Sequence, residues 1–218
     1  MAGVSGEGFA DRKTTSMFRV RGPEHVATSV DISGADPATN IPKDIPYQIG
    51  SKNESVAWIN PTMTGDIVIH EIVGPSGNDP SKMLDRTSGE YFTAEGLGRA
   101  IVFDFDPKGE GRRILPDGCF FQHGRENRFR RIRSFSIYGS NGTDVDNTTS
   151  QLLVMVDDSG FLSEAAFGWS EYTALAPPSE PVRFIEIHMD GPNTSGLLQI
   201  YCSGFLVGGQ IFPGSQGY

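Results

Sequence analysis

The stretch "HMDGPNTSGLLQIYCSGFLVGG", His188 to Gly209, ends one apolar run, passes through a turn rich in Gly, Pro and Asn, and enters a second apolar run. Apolar runs joined by such turn residues read as a β-hairpin, because these residue types supply the dihedral angles and side-chain hydrogen bonds that turns need. A hairpin so near the end of the chain closes something, and the segments upstream say what. "GDIVIHEIVG", "RAIVFDFDP", "ILPDGCFFQHG", "RIRSFSIYGSNG", "QLLVMVDD" and "RFIEIHMDG" are short runs bounded by Gly, Pro, Asn and Asp. "SVAWIN" has the same character. In "RAIVFDFDP", Ile101, Phe103 and Phe105 alternate with Val102 and Asp104. In "RIRSFSIYG", Ile132, Ser134, Ser136 and Tyr138 fall on one side, against Arg133, Phe135 and Ile137 on the other. This period of two is that of half-buried strands. Eight or more of them, with a turn signal every ten to fifteen residues, predict an antiparallel sandwich or barrel. Helix is confined to single turns near "SKMLDRTS" and "SEAAFGWSEYTAL".

The 218 residues suffice for one full-sized domain, with 14 Phe, 6 Tyr and 2 Trp to fill its core. Residues 1–50 read as an irregular Pro- and Gly-containing arm, 51–213 as the β-domain and 214–218 as a short tail. "ADPATNIPKDIP" places three prolines in twelve residues, which excludes a regular helix there. "SMFRVRGPEHVATSVDIS" has room for one or two short strands. The arm is expected to be ordered only by packing on the domain or on a partner.

Lys and Arg total 18 against 27 Asp and Glu, a net charge of -9, which argues against a nucleic-acid partner. No run reaches the roughly 18 apolar residues of a membrane span. The opening "MAGVSGEGFADRKTTSMFRV" matches neither a secretory signal nor a presequence, so an intracellular protein with reduced thiols is the expectation. Cys119 and Cys202 each fall inside a predicted strand and read as small buried hydrophobes, with a bridge open to them only if those strands are neighbours. The four sequons at Asn53, Asn141, Asn147 and Asn193 read as turn composition.

Chemistry-bearing residues are sparse. There is no G-x-S-x-G elbow and no paired zinc histidines; His25, His70, His123 and His188 lie in four separate segments. "NGTDVDNTT" lacks the Gly and distal Glu of a calcium loop and reads as a polar turn. The one basic cluster is "GRENRFRRIR", with Arg125, Arg128, Arg130, Arg131 and Arg133 in ten residues. Guanidinium groups bind carboxylates in forked pairs, so Arg125, Arg128, Arg130 and Arg131 are candidates for a surface facing an acidic partner. A solvated loop neutralised by nearby Asp and Glu is the bland alternative.

Three stretches together resemble the discoidin-like, galactose-binding-like (F5/8 type C) superfamily, and within it the intracellular branch found beside BTB and HECT domains. They are "NDPSKMLDRTSGEYFTAEGLGRAIVFDFD", "RRILPDGCFFQHGRENRFRRIRSFSIYGSNG" and "VRFIEIHMDGPNTSGLLQIYCSGFLVGG". The resemblance covers roughly residues 79 to 212 and implies an eight-stranded jelly roll of two packed antiparallel sheets. Its closing hairpin would bury Phe184, Ile185, Ile187, Leu198, Ile200, Phe205 and Val207. Calcium-bound relatives use an aspartate in the opening turn, here Asp85, and many members carry an acid in the last strand. This chain has Leu206 and Val207 there, which argues against calcium, so no cofactor is expected.

The functional expectation is a non-catalytic interaction module, an accessory subunit of a larger intracellular assembly whose partners are other proteins. The alternative is a lectin-like carbohydrate-binding module, for which Trp58, Phe92, His123, Arg125 and Trp169 are the available loop-end residues. A glycan-acting hydrolase ranks last, since no carboxylate pair stands out in the sequence.

Overall fold

The computed structural model describes residues 27–35, 37, 43–74, 78–85, 91–93, 95–124, 131–157, 165 and 167–214. Ten strands form within them: β1 (Thr28–Val30), β2 (Val68–Glu71), β3 (Tyr91–Phe92), β4 (Gly98–Asp104), β5 (Arg113–His123), β6 (Ser134–Gly142), β7 (Thr148–Asp157), β8 (Thr173–Ala174), β9 (Phe184–Met189) and β10 (Tyr201–Phe212). They make two five-stranded antiparallel sheets. Sheet A runs β1-β10-β5-β8, with β3 also paired to β10; sheet B runs β2-β4-β9-β6-β7.

Alternation decides which side chains meet between the sheets. Ile101 and Phe103 of β4, Phe135 and Ile137 of β6, and Ile185, Ile187 and Met189 of β9 point inward from sheet B. Phe121 and Phe205 meet them from sheet A, with ring centroids 4.9 Å apart for Phe103–Phe205 and 5.2 Å for Phe121–Phe135. The predicted alternation of "RAIVFDFDP" is the one observed, and that of "RIRSFSIYG" holds from Ser134 on; Ile132, placed with Ser134 in the sequence reading, precedes the strand and enters the core.

The closing segment behaves differently from the expected hairpin. β9 pairs β4 and β6 in sheet B, whereas β10 pairs β1, β3 and β5 in sheet A, so the turn after Met189 crosses between the two layers. A connection of eleven residues spans the gap between sheets that a two-residue turn cannot. Ile185, Ile187, Ile200, Phe205 and Val207 enter the core. Phe184 is buried on the opposite face of β9, and Leu198 is half-buried.

Two further departures lie toward the N-terminus. β1 is a short strand inside "SMFRVRGPEHVATSVDIS", as expected, paired in register with Ile211, Gln210 and Gly209; the departure in the stretch read as an irregular arm is a helix α1 (Ile45–Gly50) that packs on β10. Asp44 caps α1 by accepting from the Tyr47 N–H at 3.0 Å, and Pro46 falls in the first turn, where no N–H is missed. "SVAWIN" forms no strand. Lys52, Asn53 and Glu54 all have positive φ, which turns the chain sharply and leaves Val56 and Ile59 exposed. The expected helical turn at "SKMLDRTS" is the 3-10 turn Pro80–Met83. Among the described residues no helix is long and apolar enough to cross a membrane.

Candidate functional site

The residues nominated at one end of the sandwich are partly assembled. β3 pairs Phe92 with Tyr201, β10 pairs Cys202 with His123, and Trp169 bridges Gln122, so Phe92, His123 and Trp169 occupy neighbouring rows of sheet A. His123 is fully buried, however, with its ring 6.3 Å from that of Tyr201. Trp169 is half-buried, its ring against Gly204. Trp58 sits apart, packed against Gly50 at the end of α1. Arg131 is half-buried and tied to Thr194: its N–H donates to Thr194 Oγ1 at 3.0 Å, and its carbonyl accepts from the Thr194 N–H at 3.1 Å. Arg125, Arg128 and Arg130 lie outside the described residues. Asp85 is half-buried after the 3-10 turn, and no group of three or more metal-ligating side chains occurs among the described residues.

β5 and β10 are indeed neighbours, but Cys119 faces Val207 and Cys202 faces His123, so the two thiols sit several rows apart, both free and buried. Burial raises both, Cys202 to about 12.

The strongest concentration of polar chemistry lies elsewhere, on the outer face of sheet B. Register places its side chains in three rows across the strands. Val68, Asp104, Phe184, Ser140 and Ser150 form the first; His70, Val102, Glu186, Tyr138 and Leu152 the second. Arg99, His188, Ser136 and Met155 form the third. Glu186 stands in the middle of the middle row and is 1 % exposed.

A buried carboxylate needs several donors, and Glu186 has them. Its Oε1 accepts from Ser140 Oγ, from Ser150 Oγ at 2.9 Å and from Thr148 Oγ1 at 3.3 Å. Its Oε2 lies 3.1 Å from His188 Nε2 and has Arg99 Nε 2.9 Å away, an ion pair without an aligned hydrogen bond. Burial pushes the Glu186 carboxyl up, but the hydrogen bonds from His188 and Ser140, the Arg99 charge and Ser150 overcome it and hold it at about 2.

The groups around Glu186 remain partly open. Arg99 and His188 are 20 % and 21 % exposed, and the Tyr138 ring lies 4.4 Å from that of His188, tilted by 38°. His70 is half-buried, and burial lowers its basicity. Beside them Asp104 is held by a two-point pair with Arg183, Nε–Oδ1 2.9 Å and Nη2–Oδ2 2.8 Å, and the guanidinium covers the Phe184 ring at 4.7 Å. At the β7 margin Leu152 and Met155 are 42 % and 63 % exposed. The sequence carried a trace of this face in "RFIEIHMDG", where a Glu and a His two apart on a strand must project from the same side. Arg99, Tyr138 and Ser150 belong to other segments, and no local pattern ties them to Glu186.

A second concavity of about 310 Å3 is lined by Met63, Ile67, Val68, Ile69, Asp79 and Pro80. Its one carboxylate, Asp79, is already used to cap the 3-10 turn through the Ser81 N–H. Thr62 and Ser81 complete its lining.

No protein-family model matches the chain, and no curated protein does. Solved structures of similar shape include chitosan-binding module 1 from a chitosanase/glucanase of Paenibacillus sp. IK-5, at 14% identity and TM-score 0.44, covering 66% of this chain and 93% of the module. CpGH89CBM32-5 from Clostridium perfringens, in complex with GalNAc-β-1,3-galactose, matches at 9% identity and TM-score 0.45, with 66% and 95% covered. The family 32 CBM from C. perfringens NanJ, in complex with galactose, matches at 10% identity and TM-score 0.43, with 66% and 93% covered. These likenesses are distant, and no function follows from them.

Proposed function

We propose that the chain is a non-catalytic module that binds a glycan on the outer face of sheet B. The observation that carries this reading is the Tyr138–His188 ring pair, flanked by Arg99 and set above a carboxylate whose two oxygens are already occupied. A sugar presents both C–H faces and hydroxyl groups. The ring pair supplies a surface for the first, and the imidazole and guanidinium supply fixed partners for the second.

The same network disfavours hydrolysis by paired carboxylates, because one of the pair must carry a proton at the working pH. Glu186 is held ionised down to about 2, and Asp104 is neutralised by Arg183. Glu186 therefore has no proton to deliver near neutrality, and Asp104 is committed to its pair with Arg183.

A protein partner is the second reading, favoured by the exposed Leu152 and Met155 at the margin of this face. In that reading the chain is an accessory subunit, and Arg125, Arg128, Arg130 and Arg131 supply a further contact for an acidic surface.

Calorimetric titration of the full chain against galactose, GalNAc-β-1,3-galactose and chitotriose, followed by a broad glycan array, tests the glycan reading. The expected result is binding that Tyr138→Ala and Arg99→Gln abolish and that Ile59→Ser, on a different surface, leaves intact. Absence of binding to every glycan, or binding indifferent to Tyr138 and Arg99, overturns it.

A further inference from the structure

The geometry points to Glu186 as a positioning residue: it fixes the tautomer of His188 with the proton on Nε2, so that Nδ1 faces solvent as a hydrogen-bond acceptor. The use of that acceptor for a ligand hydroxyl rests on the glycan reading above; the tautomer itself does not.

An ionised carboxylate accepts hydrogen bonds and donates none, so the nitrogen facing it must carry the proton. His188 Nε2 lies 3.1 Å from Glu186 Oε2. In the neutral ring the other nitrogen is then an acceptor. Nδ1 has no partner among the described residues and is absent from their buried unpaired atoms, which leaves it open to solvent. Glu186 is itself immobilised. Three hydroxyls occupy Oε1, and Arg99 stands against Oε2, so the carboxylate cannot rotate away without breaking several contacts. The row structure fixes the surroundings of His188 as well. It sits opposite Arg99 of β4 on one side and Ser136 of β6 on the other. Ser136 Oγ is engaged by Asp190 Oδ2, so it does not compete for the imidazole.

The result is an alternation of polarity across a short distance. Arg99 is a donor only: its Nε and Nη2 are buried, whereas Nη1 is absent from the buried unpaired atoms and open to solvent; His188 Nδ1 is an acceptor only. A hydroxyl between them accepts from one and donates to the other. Protonation of His188 makes Nδ1 a second donor, and the hydroxyl proton then has no acceptor, because Glu186 is filled. The charged and titratable groups facing His188 are Glu186 on its own strand, Arg99 on β4, Tyr138 on β6 and Asp190 just beyond β9; His70 on β2 stands further off, beyond Val102. Their charges are one carboxylate paired with one guanidinium, plus Asp190 on Ser136.

Two-bond 15N–1H spectra of the imidazole rings in the full chain, with His188 assigned by its loss in His188→Gln, read the tautomer directly. The expected wild-type spectrum above pH 8 shows His188 with a single protonated nitrogen at Nε2. Glu186→Gln converts it to a mixture of tautomers. The wild-type spectrum decides even if Glu186→Gln does not fold: a proton on Nδ1, or a mixture in the wild type, overturns the proposal, as does an unchanged tautomer in a folded Glu186→Gln. Glycan affinity, where binding is found, is expected to fall about tenfold in Glu186→Gln at fixed pH, the loss of roughly one hydrogen bond. A Glu186→Gln protein that binds such a glycan as tightly as wild type also overturns it. A chain that binds no glycan yet holds Nε2–H sinks the glycan reading and upholds the role of Glu186.

Discussion

The outer faces of the two sheets solve one problem in opposite ways. On sheet A the outward rows are Gly118 beside Gly208, Phe120 beside Leu206, and Gln122 beside Gly204. Three glycines leave hollows, and the chain fills them itself: Tyr172 lies over Gly118, Ile32 over Gly208 and Trp169 over Gly204. A Cβ at Gly118 would stand 2.1 Å from the Tyr172 hydroxyl oxygen. That hydroxyl donates to the Asp117 carbonyl at 3.1 Å, and the ring meets Phe120 at 5.6 Å. On sheet B the same positions carry Glu186, His188, Arg99 and Tyr138, which pair with one another while Arg99 and His188 keep part of their surface in water. Apolar cover makes a face part of the fold; a satisfied polar network leaves it available to something else.

That contrast can be broken at several points. The largest loss is expected on sheet A. Gly209 has φ +129°, and an added Cβ would stand 2.1 Å from the Leu115 carbonyl oxygen, so Gly209→Ala combines strain with a backbone clash. Denaturant titration should show about 3 kcal/mol or more of destabilisation. On sheet B, Glu186→Ala leaves Arg99 and a set of hydroxyls without their acceptor. About 2–4 kcal/mol is expected, less than for a wholly enclosed pair because Arg99 retains access to water. A loss below about 0.5 kcal/mol would show that the network contributes nothing to the fold.

Matched truncations of an aromatic on each face sharpen the comparison. Tyr172→Ala uncovers Gly118 and Phe120 and should cost about 2 kcal/mol, with no effect on a ligand at sheet B. Tyr138→Ala should cost less than half of that in thermal or chemical unfolding while abolishing glycan binding. Equal stability losses for the two would mean that both faces are simply packed.

The acid limb of the stability profile gives a smaller signal with a definite sign. Glu186 is held at about 2, below the ordinary glutamate value of about 4.3, so between those values the unfolded chain binds the extra proton. Its contribution is therefore complete above about pH 4.5 and is lost as pH falls toward 2. Urea titrations across that window should show a shallower fall for Glu186→Gln than for wild type. The smallest effect is Met155→Ser at the exposed margin of sheet B, expected within about 0.5 kcal/mol of wild type. A larger change in partner capture than in glycan affinity for that variant would favour the protein-binding reading.

Much of the fold was legible in the sequence because strand periodicity is local. From Ser134 on, "RIRSFSIYG" states which residues face inward, and the pairing of β6 with β7 and β9 confirms it; Ile132, just before the strand, escapes the pattern and is buried in the core. The error at the C-terminus has an equally physical origin. "HMDGPNTSGLLQIY" carries turn residues, but a turn between strands of one sheet and a crossing between two layers use the same residue types. The length of the connection was the available clue. The misread "SVAWIN" is similar: Val56, Trp58 and Ile59 have strand composition, yet three positive φ angles just before them redirect the chain. Of the nominated binding residues, His123 shows how a polar residue beside a loop can end up wholly inside. Cys119 and Cys202 lie on paired strands, and register alone keeps them apart.

By itself, the sequence determined that the chain folds as short antiparallel strands around an aromatic core, since alternation, turn chemistry and the count of Phe residues are properties of neighbouring positions. Tertiary structure decided which strands share a sheet, which outer face is sealed and which stays polar. Glu186 meets Ser140, Ser150 and Arg99 only because β4, β6, β7 and β9 lie side by side, and the sum of long-range packing sets that order.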